Sequence, residues 1–111
     1  MNRPDPQAGV DPPPGLDRLD PLLQHRSRLG AMVLLSGTDA LSFVRLRDLL
    51  GETDGNLGAQ LRKLDNAGYV TVRKEFANRK PVTWYSLSKQ GHQSLKSHLA
   101  AMEAVVKAAR V

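Results

Sequence analysis

Thr53 to Gly68, TDGNLGAQLRKLDNAG, is the stretch on which the reading of the fold turns. Thr53 or Asp54 supplies an N-cap, because either side-chain oxygen accepts from the free N–H groups of a first helical turn. Leu57, Leu61 and Leu64 follow at i, i+4 and i+7 and so line one stripe of an α-helix. Gly68 is the stop signal, since glycine enters the left-handed C′ conformation without steric cost. The spacing predicts a helix over 54–67. Its other face carries Gly55, Ala59, Arg62, Lys63 and Asn66, flanked by Asn56 and Gln60. Small residues, amides and cations suit a base-pair edge or a phosphate, and they suit water equally well.

Upstream, FVRLRDLLG reads as a shorter helix with Ser42 as its cap and Gly51 as its stop. Phe43, Leu46, Leu49 and Leu50 form its buried stripe, with Arg45, Arg47 and Asp48 outside. The link Gly51-Glu52-Thr53 has the length of a helix-turn-helix connection, so the two helices cross steeply. Before them, Asp20-Pro21 pairs an N-cap with a proline at the first helical position, where its missing N–H costs nothing. The following LLQHRSRLGAMVLLSG reads as a helix ending at Gly37, with Leu22, Leu29, Met32, Val33 and Leu35 on its apolar side.

Downstream of Gly68 the period switches from 3.6 to 2. Val70, Val72 and Phe76 share one parity, interrupted by Lys74; after a turn at Asn78 comes a second run, with Thr83, Tyr85 and Leu87 on one face. The result is a β-hairpin whose tip bears Arg73, Lys74, Arg79 and Lys80 against the acid Glu75. Ser88 caps a last helix, over about 88–109, in which Leu95, Leu99, Met102 and Val106 recur at helical spacing. Its alanine-rich end has high helix propensity.

The chain has 111 residues, room for one domain with a modest core. Residues 1–18 hold five of the seven prolines and almost no large apolar side chain, so they form a disordered or extended arm ahead of a domain over 19–111. Residues 1–20 contain two arginines against four aspartates, which leaves +7 on the remainder of a chain whose net charge is +5. A small, strongly basic folded part favours a polyanionic partner. The absence of cysteine excludes disulfides and thiolate metal sites, and no run reaches the length of a membrane span. A cytoplasmic protein without membrane contact is expected.

Helix, helix, tight turn, helix, basic hairpin, helix is the order of a winged helix-turn-helix. The runs NLGAQLRKLDNAGYVTVRK and RKPVTWYSLSKQG resemble the short bacterial and archaeal winged-helix transcriptional regulators of the MarR-like and ArsR-like kind. The matching residues are Asn56, Leu57, Leu61, Leu64, Gly68, Tyr69 and Val70, then Thr83, Tyr85, Leu87, Ser88 and Gly91. The similarity covers about residues 25–95. It implies an α+β, mostly helical fold: a three-helix core, a β-hairpin wing and a C-terminal dimerisation helix. It further implies a homodimer bound to double-stranded DNA, with helix 54–67 in the major groove and the wing, 73–82, on the backbone or minor groove. Gly58 and Ala59 depart from the pattern, standing where larger polar residues would help to reach bases.

The candidate DNA-binding residues are Asn56, Ala59, Gln60, Arg62 and Lys63 on the helix and Arg73, Lys74, Arg79 and Lys80 on the hairpin. Asn and Gln have the geometry for bidentate bonds to adenine, while Arg and Lys hold phosphate. Against this stand a merely solvated helix face and an edge strand protected by charge. His25, His92 and His98 form no ligand motif and read as surface or partly packed. Trp84 points away from Tyr85 and Leu87, either as an interface residue or packed against the wing. No nucleophile–base arrangement, phosphate-cradling glycine loop or paired-carboxylate pocket argues for an enzyme, and no metal or cofactor is expected. A winged-helix protein–protein module without DNA binding is the alternative; a neutral or acidic recognition face would favour it. A small-molecule effector near a dimer interface stays open, with no residues to name it.

Overall fold

A computed structural model describes residues 5–111 of the chain. The helix at the centre of the reading is there: α3 spans Asp54–Asn66, and its cap is Thr53, whose side chain accepts from the Asn56 N–H at 3.2 Å. It ends as glycine dictates. Gly68 has φ 79°, its N–H reaches the Asp65 carbonyl at 2.9 Å, and the Tyr69 N–H reaches back to Leu64 at 2.9 Å. These two bonds satisfy carbonyls that a helix end leaves orphaned. The helix before it, α2 (Phe43–Leu50), is capped by Ser42 on the Arg45 N–H at 3.1 Å and closed by Gly51 in the same manner. The short connection between α2 and α3 is thus little more than one helix stop followed by the next cap.

Two side-chain links pin that connection. Arg47 on α2 meets Asp54 at 2.7 Å and Asp48 at 3.2 Å. Glu52 accepts from the Ser27 hydroxyl and pairs with Arg26 at 3.5 Å. Both partners of Glu52 lie on α1, Arg26–Ser36, so the turn is fastened to the first helix.

The long first helix expected from Leu22 to Gly37 is broken. Pro21–Leu23 forms a 3-10 turn capped by Asp20, and α1 begins only at Arg26, with His25 as its cap. Side chains supply the bonds that continuous helix would have drawn from the backbone. The His25 Nδ1 accepts from the Ser27 N–H at 3.1 Å, and the Leu22 carbonyl accepts from Arg28 Nε at 2.6 Å. Before this lies the segment expected to be an extended arm. Its first four residues lie outside the described ones. It is shortened at its other end, because Gly15 is buried against α4 (Lys89–Ala108) and Leu16–Arg18 make a 3-10 turn packed on that helix.

The hairpin consists of β2 (Val70–Ala77) and β3 (Lys80–Leu87), joined by Asn78 and Arg79, both at positive φ. Two left-handed residues form the loop whose twist matches that of paired strands. A strand not anticipated, β1 (Leu41–Ser42), pairs antiparallel with β3, so the sheet order is β1-β3-β2. Two residues are too few to show an alternation in sequence.

One apolar cluster joins these pieces: Leu23, Met32, Leu35, Leu46, the three leucines of α3, Val70 and Leu95. Truncating a buried leucine of this kind to alanine typically costs about 2–5 kcal/mol. Leu49 and Val33 were expected in the apolar stripes, yet they are 45% and 46% exposed. Leu46 is fully buried on α2, with Phe43 and Leu50 packed beside it, so this eight-residue helix has no inward position left for Leu49. The observed architecture is the mostly helical α+β fold that was expected.

Candidate nucleic-acid interface

With Leu57, Leu61 and Leu64 turned into the core, α3 presents Asn56, Ala59, Arg62 and Lys63 to solvent. Among the described residues, no hydrogen bond or salt bridge within the chain engages the side chains of Asn56, Arg62 or Lys63. Gln60 behaves differently. It is half-buried on the flank of α3 facing α1, and its side-chain oxygen accepts from Arg28 Nη1. Arginine has donors only, so the atom it meets must be the amide oxygen. A bidentate bond to adenine needs one acceptor and one donor from the same amide. One lone pair of the Gln60 oxygen is thus engaged by Arg28, and the second lone pair and the NH2 group are the groups it has left for a base.

Each of the four hairpin cations is exposed. Arg73 lies on the same face as Trp84 and pairs weakly with Glu75 at 3.5 Å. Lys74 projects to the other face, toward α3. There, Gly58, Arg62, Asp65, Val72, Lys74 and Tyr85 line a cleft of about 240 Å³. Burial pushes the Tyr85 hydroxyl up in pKa; Asp65 adds to the rise and Arg62 opposes it. The cleft wall therefore carries a neutral phenol between two cations and one acid. Arg79 and Lys80 stand at the tip, Arg79 in the turn itself.

The cations of α2 divide. Arg47 is spent on Asp54 and then Asp48, whose bonds raise its pKa. Arg45 is exposed. Trp84 is half-buried opposite Ser42 of β1, and among the described residues its indole nitrogen is the one buried side-chain polar atom without a partner.

Reading the sequence did not find the network behind α3. His98 was expected at or near the surface but is 2% exposed, and its Nδ1 accepts from the Asp20 N–H at 2.9 Å. Asp20 in turn accepts from the Tyr69 hydroxyl at 2.5 Å. Three residues far apart in the chain thus lock the start of the domain to α4 and to the exit of α3. Spacing could not reveal this, because neither contact is local. Beside them Leu19, Leu23, His25, Leu29, His98 and Met102 line an apolar cleft of about 400 Å³. Farther along α4, Leu99 and Val106 are exposed.

A family model described as a winged helix DNA-binding domain matches residues 27–106. The chain belongs to the winged helix DNA-binding domain family. In this winged helix α3 occupies the recognition-helix position and β2–β3 the wing position. The transcriptional regulator homologue from Pyrococcus horikoshii OT3 has a similar structure, with a TM-score of 0.73 at 30% identity over 78% of this chain and 85% of that one. An uncharacterized protein of Methanocaldococcus jannaschii is 29% identical over 72 residues, 65% of this chain and 78% of its own length. A zinc-responsive MarR family member of Lactococcus lactis shares the fold, with a TM-score of 0.56 at 17% identity over 73% of this chain and 55% of its own.

DNA binding, not a catalytic activity, defines the matched family. Among the described residues, no helix is long and apolar enough to cross a membrane, and no group of three or more acids or histidines is placed to hold a metal ion.

Proposed function

We propose that this winged helix is a transcriptional regulator that binds double-stranded DNA sequence-specifically as a homodimer in the cytoplasm. The recognition helix enters the major groove, and the wing rests on the backbone or minor groove. The observation that carries this is the group of cations that α3 and the hairpin present together. Arg62, Lys63, Lys74, Arg79 and Lys80 face solvent without an acid partner among the described residues, whereas Arg26 and Arg47 beside the turn are engaged by acids. Such cations release counterions when they meet phosphate. The family description and the regulator homologue from Pyrococcus horikoshii support the same reading.

The roles divide by residue. On the recognition helix Arg62 and Lys63 hold phosphate; Asn56 and Ala59 face base edges, with Gln60 at the flank beside Arg28. Arg73, Lys74, Arg79 and Lys80 clamp the backbone from the wing. The exposed apolar residues of α4, Leu99 and Val106 with Met102 between them, cover one another across a two-fold axis. A dimer so built reads two half-sites about 34 Å apart. The alternative of a protein–protein module calls for a neutral recognition face, and the cationic face observed does not favour it.

Selection from a pool of random duplexes, followed by footprinting, tests the reading. The expected result is an inverted repeat protected on one side of the helix. A selected pool with no enriched sequence, or protection of a single half-site by a monomer, would contradict it.

A further inference from the structure

Phe76 is the most exposed large apolar residue in any helix or strand of the described chain, at 79%. It sits on the wing one rung short of the tip, directly across from Pro81. In a two-residue hairpin the pair flanking the turn, here Ala77 and Lys80, is the hydrogen-bonded one. The next rung is then a non-hydrogen-bonded pair, in which facing side chains come closest. The missing N–H of Pro81 points to the open edge of β3, where it leaves no ladder bond unmade. Phe76 and Pro81 thus form a single apolar rung on the same face as Lys74, the face that looks toward the recognition helix.

Nothing in the core requires this phenyl ring. Exposed on a monomer, an aromatic side chain at a strand edge is an aggregation liability, yet here Lys74 lies two residues away on the same face and Arg79 and Lys80 follow at the tip. Cations so close to an apolar rung repel a second copy of it and attract a polyanion. Phe and Pro are among the side chains that enter between base steps from the minor groove, partly unstacking them and bending the duplex. Pyrimidine–purine steps unstack most readily.

We infer that Phe76, backed by Pro81, is an apolar wedge that inserts at a flexible base step in the minor groove while the surrounding cations hold the flanking phosphates. This rests on the DNA-binding reading above and adds a second, shape-based source of specificity to it. Such a source suits a recognition helix in which Gly58 and Ala59 leave few long side chains for bases.

The test uses the full chain and the tightest duplex from the random-pool selection, with 2-aminopurine placed in turn at each pyrimidine–purine step. Wild type should brighten the probe at one step in each half-site, as should Phe76→Leu. Phe76→Ala should bind roughly 10-fold more weakly without brightening and with an unchanged salt slope, because no charge is removed. Wild-type binding without brightening, or an alanine variant equal to wild type, would overturn the wedge and leave the proposed function standing. An alanine variant with an altered oligomeric state would overturn it too, assigning Phe76 to a protein contact. Failure of wild type to bind any duplex would remove both.

Discussion

Arg28 on α1 and Gln60 on the recognition helix are joined by a hydrogen bond from guanidinium to amide oxygen, and the same guanidinium holds the Leu22 carbonyl at 2.6 Å. One side chain therefore ties the segment before α1 to the flank of the helix proposed to read DNA. Arg28→Ala leaves two part-buried acceptors without their donor and should cost about 1–3 kcal/mol. Arg28→Lys should rescue little, because a point charge cannot span both acceptors as the planar fork does. A thermal double-mutant cycle of Arg28→Ala with Gln60→Ala should show coupling of at least about 0.5 kcal/mol. Additive effects would mean that the bond does not matter in solution.

Tyr69 provides a pH signature. Its pKa is raised above the ordinary 10.0, by burial first and then by the hydrogen bond to Asp20, with Ser94 opposing. A raised folded pKa means that the neutral phenol is favoured in the folded state. Its contribution is thus fully present below about pH 10 and is lost as pH rises through the folded value. Denaturant midpoints should fall on the alkaline side, and Tyr69→Phe should flatten that fall while lowering stability at neutral pH. An identical alkaline limb in wild type and variant would discount the Tyr69–Asp20 bond.

Where the leading segment meets the domain can be located by truncation. A Cβ added at Gly15 would lie 2.9 Å from the Ala104 Cβ, and Gly15 holds φ 89°. Gly15→Val should therefore destabilise by at least about 1 kcal/mol, a shift of several degrees in Tm. Removing residues 1–13 should change Tm very little. Equal losses from the two changes would place the boundary of the folded unit earlier in the chain.

The assembly proposal stands on α4. A Leu99→Asp, Met102→Asp double variant should become monomeric by light scattering while keeping most of its helix signal. Wild type that scatters as a monomer at micromolar concentration would contradict the homodimer.

Much of this fold was legible because its signals are local. Thr53, Gly68 and the three leucines determine α3 within sixteen residues, and the Asn78-Arg79 loop follows from two β-rich runs. Non-local chemistry was not legible. The break before α1 depends on Arg28 and His98 taking backbone partners from the preceding segment, and His98 cannot be read as buried until α4 is laid against the 3-10 turn at Pro21. The same holds for the candidate site. Helical phase put Ala59, Arg62 and Lys63 on the outer face with Asn56 and Gln60 on its flanks, but that phase cannot tell that Arg28 on a neighbouring helix bonds the Gln60 oxygen.

The central claim is that the recognition helix and the basic wing bind duplex DNA through phosphate. Titrating a selected duplex at several salt concentrations, with wild type and with an Arg79→Ala, Lys80→Ala variant, measures that claim directly. Wild-type affinity should fall steeply with salt, and the variant should bind all duplexes more weakly, with a slope of log K against log salt shallower by about 2 units per protomer. An unchanged slope in the variant would remove the phosphate clamp from the wing, and a wild type without salt-dependent affinity for any duplex would contradict DNA binding itself.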